Sequence, residues 1–303
     1  MTMNTPTNLP ASVRQRLLNL SKTRGEAFDL VLARFAIERL LYRLTKSAFA
    51  DSFLLKGAML FAVWADEIHR PTRDLDLLGF GSHESADILK VFRTVCAIAV
   101  TPDGIEFSDS SVQVEPIREE ARYGGVRVQL EARLAGALIH VQVDIGFGDA
   151  VTPEPETVTF PALLDFAAPV LRAYPIYSVV AEKTEAMVAL GEVNTRMKDF
   201  FDLGFLAARY EFDGTLLVEA LRATFKRRVT PWPVGVPVSL NEVFSCDRER
   251  GIRWRAFLRK NGLTETSFPS VMNDVRQFIG PVLAATDAQQ LAGRRWIPGQ
   301  GWQ

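Results

Sequence analysis

Residues 56–78 read KGAMLFAVWADEIHRPTRDLDLL, and the fold turns on how this stretch is parsed. Asp74-Leu75-Asp76-Leu77-Leu78 alternates acid and leucine with the period of a strand, so Asp74 and Asp76 share one face while Leu75 and Leu77 share the other. Two carboxylates side by side require a compensating cation. Just upstream, Phe53-Leu54-Leu55 reads as a short buried strand. Gly57 supplies a tight turn after it, and residues 58–66, AMLFAVWAD, read as a short helix packed back on the sheet. The acidic strand DLDLLGF is ended by Gly79 and Gly81.

Working outward, residues 26–47 contain no Pro and no Gly and set Leu30, Ala33, Ile37, Leu40, Leu41 and Leu44 near one stripe, which predicts a long amphipathic helix. Residues 84–98 are also predicted helical. Two alternating runs follow, VRVQLEARL at 126–134 and ALIHVQVDIGF at 137–147, with Gly136 between them, which predicts a hairpin. Ile139, Val141, Val143 and Ile145 then face one way and His140, Gln142 and Asp144 the other. Pro153, Pro155 and Pro161 mark the passage into a region where helical patterns dominate. The expected fold class is α+β: a mixed sheet with flanking helices over residues 1–155, including N-terminal helices, then a mainly helical domain over 156–303. No internal repeat or low-complexity tract is present.

With 303 residues and 48% hydrophobic content, the chain can bury a core of two domains. The formal net charge of -1 supplies no global field toward nucleic acid or anionic membranes, so any such contact needs a local patch. Cys96 and Cys246 have no metal-ligand spacing, which fits a reducing compartment. The N-terminal residues lack a signal-type apolar core, and no apolar run approaches the roughly 18 residues of a membrane span. A soluble cytoplasmic protein is expected, without membrane contact.

Asp74, Asp76 and Asp144 on one sheet face would repel one another unless they hold a divalent cation. Oxygen-only ligands suit Mg²⁺, which keeps waters and substrate phosphate oxygens in its other positions. That arrangement serves phosphoryl or nucleotidyl transfer, and backbone N–H groups after Gly57 could cradle a triphosphate. The plainer alternative is a solvated D-x-D turn, with Asp144 as the polar side of a two-faced strand. The joint order of strand, glycine turn, helix, D-x-D strand and third Asp favours the site.

The segment Lys56 to Leu78, Val143-Asp144, Ala181-Glu182-Lys183 and the run from Arg196 to Leu203, RMKDFFDL, together resemble the AbiEii/AbiGii toxin nucleotidyltransferases of the DNA polymerase β-like superfamily, over about residues 26–210. The resemblance implies a nucleotidyltransferase-type sheet. It sets Lys56, Gly57 and Ala58 at the nucleotide-binding glycine turn, and Asp74 and Asp76 at the metal pair. Asp144 matches the third carboxylate by strand order, as metal ligand or base. Lys183 matches a basic residue that contacts nucleotide phosphate, Arg73 would assist it, and Asp202 or Asp199 falls in the acidic motif that supports activity. Ala58 departs from the Gly or Ser of many members and removes a hydroxyl contact. Read without the family, Lys183 pairs with Glu182 or Glu185, and Lys198, Asp199 and Asp202 form intrahelical pairs.

A polynucleotide acceptor needs basic surface. Arg222, Lys226, Arg227 and Arg228 form one candidate; Arg248, Arg250, Arg253, Arg255, Arg259 and Lys260 form another, with Trp254 and Phe257 interleaved for stacking on a base. His69, Arg70 and Arg73 lie closer to the D-x-D. The functional expectation is a Mg²⁺-dependent nucleotidyltransferase toxin of a type IV-like toxin–antitoxin or phage-defence system. It would move nucleotides from NTP to the 3′ end of tRNA, with a cognate antitoxin encoded nearby. The alternatives are a transferase acting on a protein or small molecule, and an inactive nucleotide-binding module.

Overall fold

The structure is a computed structural model in which residues 8–65, 69–117 and 124–303 are described. The chain divides into two compact units. The first comprises the chain up to Gly148 together with Glu156–Ala173, and the second comprises Asp149–Pro155 together with Tyr174–Gln303. Residues 156–173, expected above in the helical domain, therefore return to the first unit.

The first unit begins with α1 (Leu9–Arg24) and α2 (Phe28–Thr45), followed by β1 (Phe53–Lys56). A 3₁₀ turn (Gly57–Leu60) runs into one α-turn, α3 (Phe61–Trp64), and then comes β2 (Asp74–Gly79). After α4 (Ser85–Ala97) come β3 (Glu106–Ile117), β4 (Gly125–Leu134), β5 (Ala137–Phe147), β6 (Glu156–Thr159) and β7 (Val170–Ala173). Among the described residues, these seven strands form one sheet in the order β3-β4-β5-β2-β1-β7-β6. The β2–β5 and β1–β7 pairs are parallel and the others antiparallel.

The hairpin of β4 and β5 shows why this sheet has two unlike faces. Val126, Val128, Leu130, Ile139, Val141, Val143 and Ile145 are all buried on one side, against which α2 and α4 pack. Each such side chain contributes roughly 1.5–3 kcal/mol when fully buried. The two-residue turn Ala135-Gly136, with φ of +46° and +81°, has the positive angles of a type I′ hairpin and locks the register.

Burial on α2 is broader than the stripe its periodicity predicts, because Glu38, Arg39 and Arg43 are buried too. The segment 156–173 covers that side: the Leu163 N–H donates to Glu38 Oε2 at 2.8 Å, and Arg39 Nη2 donates to the Ala167 carbonyl at 2.8 Å. Arg43 forks onto Asp103 at 2.7 and 3.1 Å. Burial pushes the Glu38 carboxyl up to about 7 despite the Leu163 hydrogen bond and the Arg39 charge.

The second unit holds α5 (Ile176–Leu190), α6 (Met197–Arg209), β8 (Phe212–Asp213), α7 (Gly214–Arg227), α8 (Glu242–Cys246), α9 (Arg248–Lys260), α10 (Phe268–Ala284), β9 (Arg295–Ile297) and β10 (Gly301–Trp302). Asp213, Asp247 and Ser267 cap α7, α9 and α10 by accepting from backbone N–H groups of the first turn. The α5–α7 and α6–α10 packings enclose an aromatic core that includes Phe200, Phe212, Phe225, Phe268 and Phe278. Among the described residues no helix is long and apolar enough to cross a membrane.

Candidate functional site

Strand register assembles a row of charge on the sheet face away from α2 and α4. Antiparallel pairing sets Lys56 opposite Asp76, and parallel pairing sets Asp76 beside Asp144. The hairpin sets Asp144 opposite Arg127, and β3 sets Glu115 opposite Arg127. Residues in register share a face at about 4.8 Å per strand. One row over, Asp74 is followed by Gln142, Gln129 and Gln113. Asp74, Asp76 and Asp144 thus do lie on one face of adjacent strands.

For Asp144 the compensating cation comes from the chain itself. Arg127 donates from Nε to Asp144 Oδ1 and from Nη2 to Oδ2, both at 2.8 Å, a bidentate fork of the strong charge-assisted kind. With its carboxamide oxygen turned inward, Gln142 accepts from Arg127 Nε and Nη2 at 3.2 and 3.3 Å. The Asp144 hydrogen bonds raise the Arg127 pKa above its ordinary value against the opposing effect of burial, and the charges of Asp144, Asp74 and Glu115 add to the rise. Sequence reasoning placed Arg127 only on a polar strand face. The signal that finds it is arithmetic: in a hairpin closed between Leu134 and Ala137, residue 127 must stand opposite 144.

Gly57 bears directly on this row. Its φ is +73°, and a Cβ there would sit 2.0 Å from Asp76 Oδ2 and 2.6 Å from Asp76 Cγ. The bare backbone turn is therefore pressed against the carboxylate. The helix expected over 58–66 is instead a 3₁₀ turn and a single α-turn, with Asp66 outside the described residues. Any phosphate cradle must come from individual N–H groups, since one α-turn carries little macrodipole.

Tested against a hard divalent cation, the residues fit in part. Asp74 and Asp76, two apart on β2, offer a pair of oxygen ligands on one face. Asp144 is turned to Arg127, and among the described residues no group of three or more His, Cys, Asp or Glu is placed to hold one metal ion. Beside the turn opens a cavity of about 540 Å³ lined by Ala58, Phe61, Arg34, Arg70, Thr72 and Phe160 among others. His69, expected near phosphate, is buried at 7% exposure with its ring stacked on Phe61 at 4.1 Å. Arg73 pairs with Asp29 in the first turn of α2.

In the second unit, Lys183 on α5 bridges to α6: its Nζ lies 2.9 Å from Asp199 Oδ1 and 2.6 Å from Asp202 Oδ2. Arg196 Nε is 2.7 Å from Asp199 Oδ2. Burial alone would raise the Asp199 pKa, but Lys183 and Arg196 outweigh it and hold the carboxyl below the usual range. Lys183 thus pairs across helices, from α5 to α6. Glu182 and Glu185 instead face Arg228, which also approaches Asp149.

Part of the expected basic surface is structural. Arg228 is held by those carboxylates, and Arg222 donates to the Ala285 carbonyl while stacking over Trp232. Arg250 sits over Phe244, and Trp254 is buried at 1% exposure with its N–H on the Thr266 carbonyl, so it is no stacking platform for a base. Arg248, Arg255 and Arg259 remain as an exposed stripe on α9.

Comparison with protein families finds that "Nucleotidyl transferase AbiEii toxin, Type IV TA system" matches residues 39–279. Two solved structures from Helicobacter pylori are similar at 16% identity. JHP933 has a TM-score of 0.47, over 91% of this chain and 92% of that one. A candidate nucleotidyltransferase has a TM-score of 0.45, over 91% of this chain and 95% of that one. Comparison with curated proteins finds no match.

Proposed function

This chain belongs to the AbiEii nucleotidyltransferase toxin family, and from that premise we propose that it transfers a nucleotidyl group from a Mg²⁺-bound NTP to the 3′ end of tRNA, blocking translation. The observation that carries this reading is the D-x-D pair on β2 with the Gly57 turn pressed against Asp76. In the proposed reaction the acceptor oxygen bonds to the α-phosphorus, the bond to the β-phosphate oxygen breaks and pyrophosphate leaves.

Asp74 and Asp76 would hold the ion, which when bound supplies charge stabilisation to the triphosphate. Asp144, beside Asp76, is proposed to take up the hydroxyl proton. The cavity beside Ala58, of the size that binds small ligands, is proposed to receive the nucleotide near Lys56 and the Gly57 N–H. For Lys183 the proposed role is phosphate contact, with Asp199 and Asp202 fixing the position of its ammonium. The α9 stripe of Arg248, Arg255 and Arg259 supports a polyanionic acceptor. The family implies an antitoxin as the further partner.

The test is incubation with total tRNA, Mg²⁺ and each labelled NTP, with Asp76→Ala as control. Labelled tRNA that depends on Asp76 is the expected result. Labelling of protein or a small molecule instead would move the acceptor class, and label transfer that survives Asp76→Ala would sink the metal pair.

A further inference from the structure

We infer that the outward face of α9 is a docking surface for a polynucleotide, gripped through its backbone phosphates by Arg248, Arg255 and Arg259 without any reading of base sequence. This deepens the proposed function and rests on that reading for the choice of RNA as the polyanion.

Core packing fixes which face of α9 looks outward. Trp254 and Leu258 are buried, and Trp254 and Phe257 set their rings against Phe201 at 6.1 and 5.7 Å. At about 100° per residue, Arg248, Ile252, Arg255 and Arg259 then fall within a sector of roughly 60° away from that core, and all four are exposed. Arg255 and Arg259 stand one turn apart, about 6 Å along the axis, a step comparable with that between neighbouring phosphates of a nucleic-acid strand. Local acids do not balance these cations. Asp247 caps the helix and lies 3.4 Å from Arg250, and Glu249 faces Arg253 at 3.9 Å. Among the described residues no carboxylate forms an ion pair with Arg248, Arg255, Arg259 or Lys260. Other arginines of the unit are occupied in its structure: Arg222 and Arg276 donate to carbonyls, and Arg228 and Arg295 meet carboxylates.

The stripe also works against its own helix. Arg248, the first helical residue, brings positive charge to the positive end of the macrodipole, and Arg255 repels Arg259 at i, i+4. Gly251 is a poor helix former that no close packing demands, since a Cβ there would meet only Arg255 Nη1, at 3.6 Å. Local choices that do not serve the fold are the mark of a surface that serves a partner. Guanidinium forks match phosphate oxygens. Both aromatics of α9 are turned to the core, and the residue between the arginines is Ile252, 48% exposed, so the face offers no ring on which a base can stack. Its affinity therefore comes from phosphate neutralisation, which is indifferent to sequence and sensitive to salt.

The test is fluorescence anisotropy of labelled total tRNA with the whole protein, without NTP, across roughly 50–200 mM salt. The double variant Arg255→Gln, Arg259→Gln should bind about ten-fold more weakly at low salt, with a log–log salt slope shallower by about 1–2. Its thermal midpoint should stay level or rise, because a like-charge pair is removed; a purely structural role would lower it. Lys226→Gln with Arg227→Gln, which removes the same charge at the end of α7, should stay within about three-fold of wild type, as should binding of a ribosomal RNA fragment of equal length. Unchanged affinity and slope in the α9 variant, or an equal loss in the α7 variant, overturns the inference. So does polyglutamate that competes better than RNA of matched charge, which would assign the face to an acidic protein, and so does a wild type that binds no RNA. Label passing from NTP to a protein or small molecule, while the α9 variant has lost RNA binding, defeats the RNA-acceptor reading and leaves the docking surface standing. Label reaching tRNA with an unchanged KM for tRNA in the α9 variant does the reverse.

Discussion

Position 57 admits no side chain. An alanine there would need a positive φ and would place its Cβ inside the Asp76 carboxylate, so Gly57→Ala must either unwind the turn or displace Asp76. The backbone strain alone costs about 1–3 kcal/mol. We expect thermal melts to show that loss together with a fall of 100-fold or more in label transfer. Lys183 is constrained differently, by two carboxylates of α6 that it bridges from α5. Lys183→Met takes a cation from two buried carboxylates, leaving Asp199 with Arg196, and should lower urea stability by about 3–5 kcal/mol. The pH sign follows from Asp199, whose folded pKa lies below its ordinary 3.8. Its contribution is complete above that ordinary value and disappears as pH falls through the folded one. Wild type should therefore lose stability below about pH 4, and the Lys183 variant should lose less over the same range.

At the scale of elements, the β4–β5 turn carries an avoidable strain. Ala135 has a φ of +46°, and Ala135→Asn, a residue at home in type I′ turns, should stabilise by roughly 0.5–1 kcal/mol, read as a rise in thermal midpoint. One residue inserted in that turn should do the opposite, because a single-residue slip sends Arg127 to the face opposite Asp144. Elements with a strong period were legible: α2, α4, β2, β4 and β5 all lie where alternation or helical spacing placed them, and so does the shared face of Asp74, Asp76 and Asp144. β3 was not, because its residues EFSDSSVQVEPI are mostly polar at its start and its pairing shifts register between Ser108 and Gln113. β6 and β7 are four residues each, too short to show a period. The Arg127–Asp144 pair escaped for another reason: it is a relation between strands, and neither strand alone announces it. Trp254 misled because an aromatic among arginines has the same local pattern whether it stacks on a base or anchors a core.

At the scale of the molecule, the first unit is closed by chain that arrives late. Glu38 shows its grip: buried beneath residues 156–173, it titrates near 7 instead of 4.5. A raised carboxyl favours folding fully below its unfolded pKa and loses that contribution as pH climbs through the folded value. The stability of this unit should therefore decline by about 3 kcal/mol between pH 4.5 and 7.5, and Glu38→Gln should flatten that slope in thermal melts. The same discontinuity shapes biosynthesis. β1 pairs with β7, which ends at Ala173, after the chain has already contributed Asp149–Pro155 to the other unit. At about 5–20 residues per second on the ribosome, Lys56 and its strand would wait several seconds with one edge open. A nascent toxin is thus incomplete beside its own glycine turn until more than half the message has been read, an interval in which a chaperone or a neighbouring gene product could reach that edge first.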